Sequence, residues 1–125
     1  MKTIYTKNVP EPIGPYSQAV QAGNFVFVSG QVGKDPVSGD MKNENIKVEA
    51  TQVMTNVKNA LAAAGLTMAN IVKTTIFLTN MDDFAQVNEV YGSFFTGNYP
   101  ARETVQVSRL PLHANVEISV IAIAE

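Results

Sequence analysis

The alternation of apolar and polar residues predicts about six β-strands along the chain. Side chains at every second position of a strand share one face of the sheet. The predicted strands cover residues 2–5, 17–22, 25–29, 71–79, 103–108 and 116–124. The turn Ala22-Gly23-Asn24 joins the second and third strands as a hairpin. The third strand is apolar on both faces, so we expect both faces to be covered.

Two segments have the period of an amphipathic helix instead. The first covers residues 45–64, with an apolar stripe at Ile46, Ala50, Val53, Val57, Ala60, Leu61 and Ala64. Gly65 then supplies a left-handed stop, and nothing on this helix indicates chemistry. Asn80 is predicted to cap the second helix, whose first-turn residues Asp82 and Asp83 suit the helix dipole. Its buried stripe is Phe84, Val87, Tyr91, Phe94 and Phe95, and it ends near Gly97.

These elements predict a single α+β domain over residues 1–125, with two helices on one face of the sheet. The opposite face then carries a row of large apolar side chains, namely Phe25, Phe27, Phe77, Ile121 and Ile123. So much apolar surface does not stay in contact with water. Either the sheet curls into a barrel, or copies of the chain cover it, and we expect self-association.

Composition excludes several classes of function. The chain has 125 residues, 46% hydrophobic and 16% charged, with a net charge of −2. No basic run supports nucleic-acid binding, and no apolar run approaches a membrane span. The absence of cysteine excludes disulfides, thiolate metal sites and a cysteine nucleophile. We expect a soluble, cytoplasmic protein.

The candidate chemistry lies between residues 99 and 125. Both arginines of the chain, Arg102 and Arg109, are here, and Arg102 precedes a strand in which Thr104 shares its face. A guanidinium at a strand end is a planar clamp for a carboxylate. Glu117 interrupts an apolar strand, which makes it a candidate for a raised pKa and proton transfer. Alternatively, Arg102 is a surface charge closing a turn and Glu117 lies on the wet face of an edge strand.

The single histidine and the turn at residues 35–40 give no indication of catalysis or ligand binding. His113 is the only histidine and has no second histidine, cysteine or aspartate near it in the sequence. We interpret it as a surface residue, and we predict no metal site. Residues 35–40 have turn chemistry but lack the Gly-Lys-Ser/Thr ending of a phosphate loop, so we interpret them as a structural loop.

Separated motifs in this sequence resemble the RidA (YjgF) family of enamine/imine deaminases. They include Ile13-Gly14-Pro15-Tyr16-Ser17-Gln18-Ala19-Val20, Val28-Ser29-Gly30-Gln31, Val72-Lys73-Thr74-Thr75, Pro100-Ala101-Arg102 and Val116-Glu117-Ile118. Any one motif alone is weak, but together they span nearly the whole chain. The resemblance implies a chorismate-mutase-like fold and a homotrimer that packs its sheets inward, with three clefts between neighbouring subunits.

The resemblance also implies a reaction, the hydrolysis of a 2-aminoacrylate-type enamine or its 2-imino acid tautomer to a 2-oxo acid and ammonia. A 2-iminobutanoate/2-iminopropanoate deaminase of this kind requires no metal or organic cofactor. Arg102 would clamp the substrate carboxylate, and Glu117 would position water and move protons. Backbone N–H groups near Gly30 and Gln31 would stabilise developing charge.

Four more residues match family positions in or beside the cleft: Tyr16, Ser29, Asn88 and Thr104. Each also has a purely structural interpretation, as a packed ring, a strand-end hydroxyl, a helix boundary residue and a β-branched strand residue. The sequence departs from the usual family pattern at Glu103, Ser108 and Leu112. Alternation places Glu103 on the face opposite Arg102, so we expect it to have a modest effect.

Two further hypotheses stand beside the deaminase. One is a non-enzymatic binding or regulatory module for a 2-oxo acid or similar small carboxylate, which would use Arg102 without Glu117. The other is RNA cleavage, against which the acidic composition and the single histidine argue. The deaminase hypothesis requires Arg102 and Glu117 to share a crevice built from two copies of the chain. Separate compartments with no shared hollow would refute it.

Overall fold

One six-stranded sheet organises the computed structural model, which describes residues 1–125. Its strands are β1 (Lys2–Ile4), β2 (Ala19–Ala22), β3 (Phe25–Gln31), β4 (Ile71–Leu78), β5 (Ala101–Gln106) and β6 (Val116–Ile123). The order across the sheet is β1-β2-β3-β6-β4-β5. Every neighbouring pair is antiparallel except β4 and β5, which run parallel. All six strands predicted from the sequence are confirmed, with small shifts at their ends.

The first helix, α1 (Ile46–Ala63), lies within one residue of the predicted bounds and stops at Gly65 as predicted. The Asn45 side chain accepts a hydrogen bond from the Val48 N–H at 2.9 Å, which satisfies one free donor of the first turn. At the other end Gly65 has a φ of 77°, which a residue with a Cβ rarely adopts. The Leu66 N–H then donates to the Leu61 carbonyl and closes the helix.

The second helix, α2 (Phe84–Ser93), is shorter than predicted. Asn80 caps a separate 3₁₀ turn, Met81–Asp83, by accepting from the Asp82 N–H, so the predicted cap belongs to that turn and not to α2. The helix ends at Ser93 and not near Gly97. Gly92 is a weaker helix former than the residues before it, which fits an early end. No helix of the chain combines the length and apolarity that a membrane crossing requires.

Both helices pack on one face of the sheet and form a single core with it. Alternation along β6 buries Val116, Ile118, Val120 and Ala122 on this face. The other face is open, as predicted: Phe25 and Phe27 remain 44% and 41% exposed, and Phe77, Ile121 and Ile123 are half-buried. The sheet does not curl into a barrel, because β1 and β5 remain separate edges.

The last two strands follow each other in the chain but are not neighbours in the sheet. The strand β4 lies between β5 and β6 and pairs with both. Its residues Thr74 and Phe77 are the partners of Arg102 and Glu117. Arg102 lies beside Thr74, whose side chain is buried under the helices. Glu117 lies beside Phe77 on the open face. Arg102 and Glu117 therefore extend from opposite faces of the sheet.

Candidate active site

A cleft of about 340 Å³ opens at the end of β3 and the start of β6. Five of the residues proposed from the sequence line it: Tyr16, Ser29, Gly30, Gln31 and Glu117. The loop before β2 supplies Pro10 and Ile13 as a further wall. That loop is fixed by the buried Gln18 side chain, whose amide donates to the carbonyls of Thr6, Val9 and Pro10.

Glu117 is a half-buried carboxyl group that forms no hydrogen bond or ion pair within the chain. Its burial raises the pKa of the Glu117 carboxyl above the ordinary value for glutamate. Glu11 and Lys34 line the same cleft but do not pair with it. A carboxyl group with these properties is suited to accept and return a proton.

Gly30 allows the Glu117 carboxyl to occupy this position. A Cβ on residue 30 would lie 2.6 Å from Oε2 of Glu117, closer than real Cβ contacts occur. The pairing of β3 with β6 shifts between Val28 and Gln31, which places a β-bulge at Ser29 and Gly30. Glycine is needed here for close approach, since Gly30 is not among the residues with positive φ.

The predicted polar contacts in this cleft are partly used by the protein itself. The Ser29 hydroxyl donates to the Ser17 carbonyl at 2.6 Å, so its proton is already engaged. The Ser29 N–H donates to the Gln18 carbonyl. The Tyr16 ring is about half exposed, and its hydroxyl accepts from the Ile13 N–H at 3.4 Å. Tyr16 therefore shapes the cleft mouth, while Ser29 is available only as an acceptor.

Arg102 lies in a different pocket, of about 330 Å³, with Asn88, Tyr91, Tyr99 and Pro100. Its guanidinium carbon is 5.0 Å from the centre of the Tyr91 ring and 5.7 Å from that of Phe84. Phe84 is 38% exposed at this point and not buried as predicted. The two rings hold the cation by cation–π attraction. Arg102 forms no ion pair in the chain, so its hydrogen-bond donors remain available.

Thr104 shares the Arg102 face of β5, two residues further along. Its Oγ1 is buried and has no hydrogen-bond partner. Glu103 lies on the other face, as alternation predicts, where its carboxylate pairs with Lys73 at 3.1 Å and accepts from the Thr75 hydroxyl. The pKa of the Glu103 carboxyl is lowered, mainly by the hydrogen bond from Thr75 and to a smaller extent by Lys73. Glu103 therefore does not compete for Arg102.

One chain does not bring all the predicted site residues together. Tyr16, Ser29, Gly30, Gln31 and Glu117 form one pocket, and Asn88 and Arg102 form another, while Thr104 lines neither. The two pockets belong to opposite faces of the sheet. The expectation that Arg102 and Glu117 share a crevice is not met within a single chain, and a crevice between two copies stays a prediction.

Two further predictions concern residues outside these pockets. His113 and Arg109 are exposed, so the interpretation of His113 as a surface residue is confirmed. No group of three or more His, Cys, Asp or Glu side chains is placed to hold a metal ion.

Sequence reasoning missed two polar residues on α1, which it had treated as purely structural. Glu49 and Asn56 are both fully buried and bind backbone near the Glu117 cleft. A signal for them exists in the sequence. They lie seven residues apart, next to Ala50 and Val57, so they fall on the buried stripe where apolar residues are expected.

Known proteins are similar to this chain over a range that includes every residue of both pockets. A family model described as endoribonuclease L-PSP matches residues 6–124. The 2-iminobutanoate/2-iminopropanoate deaminase of Mus musculus is 47% identical over 122 residues, which are 98% of this chain and 90% of the mouse protein. The crystal structure of E. coli TdcF with bound serine has a TM-score of 0.97 and 41% identity over 100% of both chains. The YjgF gene product of E. coli has a TM-score of 0.96 and 43% identity, also over 100% of both chains.

Proposed function

The chain belongs to the endoribonuclease L-PSP family, the family of RidA (YjgF), and from this membership we propose that it is a 2-imino acid deaminase. Its substrates are 2-aminoacrylate-type enamines and their 2-imino acid tautomers, which it hydrolyses to 2-oxo acids and ammonia. The mouse relative is named for this activity on 2-iminobutanoate and 2-iminopropanoate. The bound serine of E. coli TdcF, which has a carboxylate beside a nitrogen-bearing carbon, agrees with a small amino-acid-like ligand.

The observation that carries the proposal is the unpaired, half-buried Glu117 carboxyl in its cleft. A water molecule held by Glu117 attacks the C=N carbon, and its proton passes to the carboxylate as the C–O bond forms. Glu117 then returns the proton to the nitrogen, which has received the C=N π electrons, and a neutral carbinolamine forms. Its hydroxyl proton passes through Glu117 to the nitrogen as the C=O bond forms, the C–N bond breaks and ammonia leaves. A raised pKa suits a group that must both take up and release a proton near neutral pH.

Arg102 supplies the clamp for the substrate carboxylate. Its guanidinium is held over two aromatic rings and has no carboxylate partner in the chain, so it can receive one from a ligand. A planar guanidinium binds a carboxylate through two parallel hydrogen bonds. The unpartnered Oγ1 of Thr104 on the same face is a further candidate contact.

Since Arg102 and Glu117 lie on opposite faces of one sheet, the proposed site needs two copies of the chain. The open face with Phe25 and Phe27 gives a physical reason for association, because apolar surface of this kind is stabilised by removal from water. We place each active site in a crevice between neighbouring subunits of a homotrimer, with Glu117 from one subunit and Arg102 from the next.

A coupled assay tests the activity. A pyridoxal-dependent serine or threonine dehydratase generates the enamine, and the rate of 2-oxo acid release is followed with and without this protein. We expect acceleration by the wild type and its loss in Arg102→Ala and in Glu117→Gln. The matched controls are Arg109→Ala, which changes an exposed arginine, and Glu103→Gln, which changes a carboxylate on the face opposite Arg102 that pairs with Lys73. Equal rates with and without the wild-type protein would refute the proposal.

Mixing two inactive variants tests the shared site. If each site combines Arg102 of one subunit with Glu117 of the next, randomly mixed trimers of Arg102→Ala and Glu117→Gln regain intact sites, about a quarter of the total. If both residues acted within one chain, mixing would restore nothing. Subunits are exchanged by mild denaturation and refolding, with each variant refolded alone as the control.

The alternative function is a carboxylate-binding module without turnover. It differs from the deaminase in its dependence on Glu117. A wild-type protein that binds a 2-oxo acid through Arg102 but never accelerates its release would support the module and exclude the enzyme.

A further inference from the structure

The helix α1 holds two of the segments that line the Glu117 cleft through two buried polar side chains. Glu49 and Asn56 lie two turns apart on the face that packs against the sheet, and both have no exposed surface. Neither residue lines the cleft. Each instead binds the backbone of a segment that contributes residues to the cleft, residues 111–115 for Glu49 and residues 32–34 for Asn56.

Glu49 binds the segment that leads into β6. Its Oε2 accepts from the backbone N–H of Asn115 at 2.7 Å, and its Oε1 accepts from the Asn115 side-chain amide at 2.8 Å. The Asn115 carbonyl in turn accepts from the Thr79 N–H at 3.1 Å. Asn115 is therefore fixed between α1 and the end of β4, two residues before Glu117. Leu112, three residues before Asn115, lines the cleft.

Asn56 binds the other of these two segments. Its side-chain amide donates to the carbonyls of Val32 at 3.0 Å and Lys34 at 2.9 Å, and both residues line the cleft. Gly33, between them, lies directly against Glu49. A Cβ on Gly33 would be 2.8 Å from Cγ of Glu49. Glu49 thus contacts one wall by packing and the other by two hydrogen bonds.

Stability alone does not account for a carboxylate at this place. Burial of a carboxylate carries a desolvation penalty, which its two hydrogen bonds from Asn115 must offset. What an apolar residue cannot supply is a pair of acceptors for Asn115. The main contribution of the Glu49 carboxylate is therefore to fix the position of Asn115.

We propose that Glu49 is a positioning residue, which holds Asn115 and the cleft wall so that the Glu117 carboxyl keeps its place against Gly30. This inference rests on the proposed function for its catalytic consequence, but its structural part does not. A carboxyl group that must direct water at one carbon tolerates little displacement, and a misplacement of about 1 Å costs on the order of 100-fold in rate.

Two variants at residue 49 separate the loss of the hydrogen-bond acceptors for Asn115 from the loss of the negative charge. Glu49→Leu has a similar size and removes both acceptors. Glu49→Gln keeps one oxygen for the Asn115 N–H, and its amide can donate to Asn115 once that side-chain amide turns over. We expect kcat of Glu49→Leu to fall by about 10- to 100-fold with little change in KM. Glu49→Gln should stay within a few-fold of the wild type.

Two measurements on the folded protein do not depend on activity. Amide hydrogen exchange should show lost protection at Asn115 in Glu49→Leu while the amides of α1 stay protected. Carbon-13 NMR titration of Glu117 should show its raised pKa moving toward the ordinary value in Glu49→Leu but not in Glu49→Gln. Should Glu49→Leu fail to fold, Asn115→Ala removes one of the two bonds at an exposed residue and should shift both readouts in the same direction.

The outcomes are distinct. Unchanged protection at Asn115 and an unchanged Glu117 titration in Glu49→Leu would overturn the positioning role, and so would equal losses of kcat in the Leu and Gln variants. If the wild type itself accelerates no 2-oxo acid release, the proposed function fails, while the exchange and titration data still decide whether Glu49 positions Glu117.

Discussion

Replacing Gly30 with alanine perturbs the proposed chemistry at a single point. The added methyl group would lie 2.6 Å from Oε2, 2.7 Å from Cδ and 3.0 Å from Cγ of Glu117. Ordinary contact begins at 3.4 Å, so the carboxyl group must withdraw by about 0.8 Å. The atoms displaced belong to the end of a flexible side chain. We therefore expect Glu117 to move while the strands stay in place.

The expected result is a large loss of rate with little loss of stability. A displacement near 1 Å reduces the rate by on the order of 100-fold when the moved group directs the attack. The free energy of unfolding should change by less than about 1 kcal/mol, because Gly→Ala restricts the unfolded chain and offsets part of the crowding. Substrate binding through Arg102 is untouched, so the loss should appear in kcat and not in KM.

The assay is 2-oxo acid release in the coupled reaction, together with urea unfolding of the same samples. Gly97→Ala is the matched control, since a Cβ there meets nothing within 4 Å and the residue does not have a positive φ. A Gly30→Ala protein with the kcat of the wild type would show that the position of the Glu117 carboxyl does not control the reaction. It would refute the mechanism while leaving the fold intact.

Three other predictions follow from the contacts. Burial raises the pKa of Glu117, so folding favours its protonated form. The stability of the wild type should therefore fall relative to that of Glu117→Gln as the pH rises from about 4 through the raised pKa. Urea unfolding across this range checks the sign, and a constant difference between the two proteins contradicts it. Phe27→Asp places a charge on the open face and should yield a 13.5 kDa species in sedimentation, where the wild type is larger; an unchanged oligomer counts against assembly through this face. Tyr91→Phe removes the 2.9 Å bond to the buried Thr74 hydroxyl and should cost about 1–3 kcal/mol of unfolding free energy, but it keeps the ring under Arg102 and hence kcat/KM.

Local periodicity predicted the elements because each depends on neighbours in the sequence. The alternation in β6 placed Ile121 and Ile123 on the face away from the helices, and the structure confirms that placement. The end of α1 was predictable for the same reason, since Gly65 alone supplies the left-handed turn. The error at α2 arose because Asn80 caps a 3₁₀ turn and the helix starts only at Phe84.

The order of the strands was not predictable in this way. Nothing in residues 101–123 indicates that β4 lies between β5 and β6, because that pairing depends on residues far away in the chain. Without it, the sequence shows that Arg102 lies at the start of one strand and Glu117 in another, but not that they extend from opposite faces. Glu49 was missed for a related reason. Its partner is Asn115, 66 residues away, and without that partner a glutamate in a helix is interpreted as solvated.

The opposite placement of Arg102 and Glu117 connects the chemistry to the assembly. Each residue lies unpaired in a pocket of its own, and neither pocket alone offers both a carboxylate clamp and a proton carrier. The same chain leaves Phe25 and Phe27 uncovered, which favours contact with a second copy. If that contact joins the pocket of Glu117 to that of a neighbouring Arg102, association completes the site. Phe27→Asp should then abolish turnover together with association, although Phe27 lines neither of the two pockets.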